Sequence, residues 1–456
     1  MKPETVHKKT TFAVLLALLL HCAPVWGKEG GVRRPNLLFI TFDTTRADRL
    51  GCYGFSRILT PSIDRLASEG VTFENIYAQA PQTLPSHASI FTGLYTITHN
   101  VLSNGQRLDD PAITLAEMLA GSGYKTGAVV SAAPLMKVFN LNQGFEYYND
   151  TFGLEDGVGY FKAFIRLFSR SKINLPSERR GDKTANLATA WLTKVSGKKR
   201  PFYLWIHFFD PHEPYDFRTD FDRPDHITES PEKNHFGEDE SAYLNEIEFA
   251  DHHLGRVLDH LDELGLTDHT LTVFTADHGE SLGEHQYQGH RQSVYENVVR
   301  VPLILRMPAT LPAGRRLMTR GMSIDILPTV LSLLEIPYLE NSFQGSDLLK
   351  LDAEEPRKLY SLAVKLFTKT PIRRTMIFGD YKFIEFDDPN KNALFNIRED
   401  PGELENLIHA SPVEAEKVSW QEEISRWWEE HADLQFTDFT LAPEQLERLK
   451  SLGYVN

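Results

Sequence analysis

Two aspartates in this chain stand directly after apolar runs that read as buried strands. Asp43 follows Asn36–Phe42, and Asp277, itself followed by His278, comes after Leu271–Ala276. Open α/β sheets carry their reactive groups just past the carboxyl ends of strands. Two carboxylates and an imidazole gathered at such an edge make a donor set for a divalent cation. Taken singly, each of these residues also reads as a helix cap or a solvated surface group. Asp210, at the end of a third strand-like run over Pro201–Phe209, extends the same pattern.

The elements that must position these groups are legible from periodicity. Asn36–Phe42 is continuously apolar, the pattern of a strand buried on both faces. Tyr124–Val130, Pro201–Phe209 and Leu271–Ala276 are further strand candidates. Between them, Pro61–Ala67 (with its proline near the start), Lys183–Val195 and Tyr243–Leu264 carry helical spacing. The alternation predicts an α/β fold with a mostly parallel central sheet sandwiched by helices. Past Pro337 the character changes. Thr375–Phe378 and Tyr381–Phe386 read as short strands joined by a hairpin-like Gly379-Asp380 turn, and Ser419–His431 reads as a helix. The expected organisation is a removable segment over residues 1–27, a large domain over 33–336 and a smaller C-terminal α+β subdomain over 337–456. The polar, acidic stretch 219–241 reads as a surface loop.

Composition narrows the classes. The chain carries 48 basic and 63 acidic residues, a formal net charge of −15, which argues against a nucleic-acid-binding module held by phosphate contacts. A local basic pocket for an anionic substrate remains compatible with that balance. Lys2, Lys8 and Lys9 precede a short apolar run over Phe12–Leu20, with Val25 and Gly27 near a plausible cleavage point. This pattern predicts export to the periplasm or medium. The run is shorter than the roughly 20 residues of a comfortable membrane span, although a retained anchor is the competing reading. No other stretch is long and apolar enough to span, so no transmembrane segment is expected after signal removal. Loss of the signal also removes Cys22 and leaves Cys52 without an intramolecular partner.

Family resemblance enters with Pro81-Gln-Thr-Leu-Pro-Ser-His87 and the following Ala88–Tyr95. This stretch resembles the sulfatase signature, where a nucleophile is followed by one residue, then Pro-Ser-Arg, then a helix ending in Thr-Gly. Other blocks follow in order. Phe42–Asp48 with Leu50–Gly54 looks like a first metal-binding block, Asp210-Pro-His-Glu-Pro-Tyr215 like the His-x-Pro block facing the substrate anion, and Ala276–Glu280 with Gly283–His285 like a second metal block. Tyr295-Glu296, Arg300–Leu303, Asp325–Thr329, Leu394–Glu403 and Leu446–Tyr454 continue the likeness, so it spans roughly Arg34 to Tyr454. The resemblance implies a metal-dependent ester hydrolase of the alkaline-phosphatase superfamily. One divalent ion would be held by Asp43, Thr83, Asp277 and His278, with Ca²⁺, Mn²⁺ and Zn²⁺ not distinguished.

Departures from the family pattern bear on mechanism. Sulfatases oxidise a Cys or Ser at the nucleophile position to formylglycine, and this chain has Thr83 there. A secondary alcohol cannot be oxidised to an aldehyde. His87 stands where an arginine is usual, Thr44 replaces the second Asp of a pair, and Ser131 and Ala133 fall near the places of a missing Lys and His. Thr-Leu-Pro-Ser-His is similar to the threonine block of nucleotide pyrophosphatase/phosphodiesterases. The Asp/Thr/Asp-His set also resembles lipoteichoic acid synthase, a phosphotransferase. A divalent cation beside a hydroxyl makes its alkoxide accessible near neutral pH. A threonine ester of phosphate can be cleared by a second displacement more readily than one of sulfate. The expectation is therefore a Thr83 nucleophile acting on an anionic ester, phosphoesters favoured, with His212, His290 and His87 as substrate contacts or acid–base groups. A formylglycine-independent sulfatase and a non-catalytic binding protein of the same fold are the alternatives. Arg46 and Arg320 are candidate electrostatic neighbours, whereas His252 and His253 read as helix-packing residues.

Overall fold

The computed structural model describes residues 34–152, 178–221, 240–339, 342–353, 355–365, 371–410 and 414–431. The expected signal segment and the Leu446–Tyr454 landmark lie outside them. Among the described residues, no helix is long and apolar enough to cross a membrane.

An eight-stranded sheet organises the chain from Pro35 onward. Its strands are β1 (Asn36–Phe42), β2 (Val71–Tyr77), β3 (Lys125–Val129), β4 (Tyr147–Asn149), β5 (Phe202–Phe208), β6 (Thr270–Ala276), β9 (Arg300–Arg306) and β10 (Arg315–Met322), in the order β10-β2-β9-β6-β1-β5-β3-β4. The short β7 (Ser281–Leu282) and β8 (Gln288–Gly289) form a separate ribbon. Within the large sheet β9 alone runs against its neighbours, and the other pairings are parallel.

Every residue of β1, β5 and β6 is buried, because helices cover both faces. Alternate residues feed two cores. Leu37, Phe39, Tyr203, Trp205, Leu271 and Val273 pack on the side of α2 (Thr83–Thr92). Leu38, Ile40, Phe42, Leu204, Ile206 and Phe274 pack on the opposite side, against α1 (Pro61–Glu69), α3 (Gly181–Ser196) and α4 (Glu240–Glu263). The four expected strands and three expected helices of this part of the chain are all present, the first strand with the expected bounds and the others with ends shifted by at most three residues.

A second, antiparallel sheet follows, in the order β11 (Leu359–Val364), β12 (Pro371–Phe378), β13 (Tyr381–Phe386), β14 (Ala393–Asn396). The hairpin turn is as expected, with Phe378 opposite Tyr381 and Gly379 at φ 56°. Trp420, Ile424 and Trp427 of α6 (Glu414–His431), which follows α5 (Ile326–Leu333), pack on this sheet, and the Trp427 ring stacks on Tyr360 at 4.5 Å. β11 is fastened just upstream of α2. The Leu362 amide donates to the Gln79 carbonyl at 2.9 Å, and the Ser361 hydroxyl donates to the Ala78 carbonyl at 2.6 Å.

Candidate metal centre and active site

β1 and β6 are neighbours in register, Phe42 opposite Ala276, so Asp43 and Asp277 leave the sheet side by side. Two amides orient Asp277: its Oδ1 accepts from His278 N–H at 2.8 Å and Thr44 N–H at 3.2 Å. Thr44 reaches that position at φ 47°, a left-handed conformation that a β-branched residue adopts at a cost of about 1–3 kcal/mol. Its hydroxyl donates to the Pro211 carbonyl at 3.2 Å. Asp277 Oδ2 and both Asp43 oxygens are left buried without a well-formed hydrogen bond.

His278 completes a cluster. Its Nε2 lies 3.5 Å from Asp277 Oδ2 and 4.0 Å from Asp43 Oδ1. Donor atoms of Asp43, Asp277 and His278 all lie within 4.8 Å of one another. The ring's Nδ1 faces the Gly279 carbonyl at 3.0 Å. A carbonyl only accepts, so Nδ1 carries a proton and Nε2 is the ring atom that faces the carboxylates. Burial raises the pKa of Asp43, and burial together with the Asp43 charge raises that of Asp277. Three buried carboxylate oxygens without donors, facing an imidazole nitrogen, are what a divalent cation satisfies, and the residues fit that group.

Thr83 sits beside this cluster as the first residue of α2, and its hydroxyl is buried without a hydrogen-bond partner. The Ser86 hydroxyl donates to the Asp277 carbonyl at 2.6 Å, tying the helix to the end of β6. His87 ties it to β1. Its Nδ1 donates to the Thr83 carbonyl at 2.7 Å and stands 3.7 Å from Asp277 Oδ2, and its Nε2 contacts the Thr41 hydroxyl at 3.1 Å. Trp205 Nε1 donates to that same hydroxyl oxygen at 3.0 Å, leaving the Thr41 proton for His87. Both nitrogens of His87 are thus engaged within the protein, and burial holds the ring neutral with a pKa of about 3. This geometry favours holding the start of α2 over the substrate-contact or acid–base role expected for His87.

His212 and His290 line the other side. The His290 ring stacks on His278 at 4.3 Å, and His212 meets His290 edge-on at 5.3 Å. Nδ1 of His212 donates to the Glu213 carbonyl at 2.5 Å, and Nδ1 of His290 to the Pro81 carbonyl at 2.8 Å. Burial lowers both pKa values, so both rings are neutral with the lone pair on Nε2.

Other residues singled out from sequence lie elsewhere. The Asp210 carboxylate accepts from the Gly181 amide at 2.8 Å and so caps α3. Arg46 is paired with Asp48 and Glu284, at 2.8 and 2.5 Å, and Arg320 with Asp380 at 3.0 Å. Ser131 is bonded to Thr184 at 2.7 Å. Two residues without an expected role do reach the centre. Glu280 is fully buried and held well above the ordinary carboxylate range by burial and by the Glu213 and Asp43 charges. His207, near the end of β5, has Nε2 at 3.5 Å from Asp43 Oδ2, and burial lowers its pKa to about 4.

A family model described as sulfatase matches residues 35–336, and one described as N-sulphoglucosamine sulphohydrolase, C-terminal, matches 283–429. The chain is 25% identical over 431 residues to the uncharacterized sulfatase YidJ of Escherichia coli (strain K12), covering 83% of this chain and 84% of that protein. It is 25% identical over 512 residues to the multifunctional alkaline phosphatase superfamily protein PehA of Trinickia caryophylli, covering 91% of this chain and 99% of PehA, and 25% identical over 509 residues to the N-acetylgalactosamine-6-O-sulfatase of Bacteroides thetaiotaomicron, covering 89% of this chain and 96% of that protein. Among solved structures, the phosphonate monoester hydrolase of Agrobacterium radiobacter superposes with a TM-score of 0.67 at 21% identity, covering 90% of this chain and all (100%) of that one.

Proposed function

Since the chain belongs to the sulfatase family, within the alkaline-phosphatase superfamily, we propose that it hydrolyses sulfuric or phosphoric esters with Thr83 as nucleophile and phosphoesters as the better substrates. The observation that carries this reading is the Thr83 hydroxyl, buried, without a partner, on the first turn of a helix bonded through Ser86 to the backbone of Asp277. A divalent cation bound by Asp43, Asp277 and His278 would lower the pKa of a neighbouring hydroxyl and stabilise charge on the transferred group. The residues of the chain supply the rest. His87 holds the Thr83 backbone, and the donor-free faces of Asp43 and Asp277 orient the centre.

In the first step the Thr83 oxygen bonds to phosphorus as the bond to the leaving oxygen breaks. The threonine proton passes to a neutral imidazole, which gives it to the departing alkoxide. In the second, water attacks the same phosphorus, its proton passes to that neutral imidazole, and the Thr83 oxygen departs and takes the proton from it. His212 and His290, with lone pairs on Nε2, suit that base role better than the role of a cationic clamp. Secondary-alcohol sulfates lack an equally easy second displacement, which is why phosphoesters are favoured for an unmodified Thr83.

A panel of p-nitrophenyl phosphate, phosphodiester, phosphonate and sulfate esters, run with Ca²⁺, Mn²⁺ and Zn²⁺ in turn, tests the reading. Phosphoester turnover above sulfate turnover supports it. Faster sulfate turnover by unmodified Thr83 would replace it with a formylglycine-independent sulfatase; the YidJ relative's name says sulfatase and no more.

A further inference from the structure

Five histidines approach the centre, and four of them share one arrangement. His87, His212, His278 and His290 each give Nδ1–H to a backbone carbonyl, of Thr83, Glu213, Gly279 and Pro81 respectively. That bond fixes the tautomer and the ring plane. His207 has no such bond. It is fully buried, and beyond its own backbone neither ring nitrogen has a hydrogen-bond partner. An imidazole placed there for packing alone leaves polar atoms unsatisfied where an apolar side chain would fit the strand better.

Its position is set by the sheet. His207 is opposite Thr41 in the β1–β5 register, on the face that carries Trp205 and α2. Its Nε2 lies 3.5 Å from Asp43 Oδ2, too long for a good hydrogen bond. The spacing instead suits two ligands of one ion: donors at about 2.0–2.2 Å in a tetrahedral array stand about 3.3–3.6 Å apart. His278 Nε2 and Asp277 Oδ2, at 3.5 Å, show the same spacing on the other flank. His207 also shares a cluster with His87 and Asp277, their donor atoms all within 4.8 Å of one another, and Asp277 is common to this cluster and that of Asp43 and His278. The Thr44 hydroxyl, by contrast, is committed to Pro211.

We propose that His207 is a metal ligand, giving an imidazole nitrogen to a divalent cation held with Asp43 and Asp277. The proposal rests on the reading that Asp43, Asp277 and His278 hold such a cation. It deepens that reading by choosing among metals. Two imidazoles and two carboxylates favour Zn²⁺ or Mn²⁺ over Ca²⁺, which prefers an all-oxygen shell.

The test uses the full-length protein stripped of metal and titrated with Co²⁺, read by its visible absorption and by metal content. Wild type is expected to bind Co²⁺ with the spectrum of a mixed nitrogen–oxygen site and to prefer Zn²⁺ or Mn²⁺ to Ca²⁺. His207→Ala should weaken Co²⁺ binding at least about 10–100-fold, the range seen even for groups one layer out, and shift the spectrum. His207→Gln is the second variant in case the alanine protein does not fold. Nitrogen hyperfine couplings in the electron spin resonance of Cu²⁺-loaded wild type give a count that needs no variant, with two imidazoles expected. One coupled imidazole, or unchanged affinity and spectrum in a folded His207 variant, overturns the assignment while leaving the metal centre standing. A wild type that takes up no cation overturns both.

Discussion

At the residue scale, Thr83 and the Asp43/Asp277 pair are separable, and that separation is testable. Thr83→Ala should lower phosphoester turnover by about 10³-fold or more, equivalent to about 4 kcal/mol of transition-state stabilisation, while metal content is retained. Thr83→Ser keeps the hydroxyl and should keep part of the activity, and wild type quenched during turnover should carry a phosphate on the Thr83 peptide in intact-mass analysis. Near-full activity in Thr83→Ala would rule the residue out as nucleophile. Asp43→Asn should reverse the pattern and abolish metal uptake, because it removes a buried charge that faces Asp277. The aspartates were legible in sequence because each ends an apolar run. His207 was not. It occupies an interior position of the apolar run Phe202–Phe208, where burial on both faces erases the alternation that would mark one side chain as facing a site. Only its strand register against Thr41 distinguishes it, and register is a tertiary property. Asp210 shows the converse error, a strand-end carboxylate used as a helix cap.

At the scale of elements, the central strands β1, β5 and β6 were readable because full burial demands uninterrupted apolar residues. The edge strand β10, with exposed Arg315, Arg316 and Met318, carries no such signal, and nothing local specifies that β9 runs against its neighbours. The contact between the two sheets was equally hidden, since it depends on a buried lysine. Lys382 of β13 is fully buried, with Nζ 3.0 Å from Glu296 Oε1 and 2.9 Å from Glu403 Oε1. Glu403 in turn accepts from the Glu296 amide at 2.6 Å, just before β9. Lys382→Met leaves two carboxylates buried together and should cost about 3–5 kcal/mol of stability. Thermal denaturation should show this loss, and the double variant Lys382→Met/Glu403→Gln should recover part of it. A Lys382→Met protein as stable as wild type would mean that the second sheet is held by its apolar packing and by the Leu362 and Ser361 hydrogen bonds.

At the scale of the whole molecule, metal binding, protonation and folding are linked. Asp43 and Asp277 have raised pKa values in the cation-free protein, so the folded state holds protons that the unfolded state has already released. For these two groups the sign is fixed: their contribution to stability is present below the ordinary carboxylate pKa and is lost as pH rises through the raised folded values. A divalent cation displaces those protons, so its affinity must rise over the same interval. Ligand binding to the folded state alone stabilises it in proportion to the logarithm of concentration over dissociation constant. Removing the cation with a chelator should therefore lower the melting temperature, and the drop should be larger at high pH than near the ordinary carboxylate range. Calorimetry of loaded and stripped protein at the two pH values measures it. An equal drop at both would show that the carboxylates are already ionised in the stripped protein. The Asp43→Asn variant, with one of the facing charges removed, should then show little chelator effect at either pH.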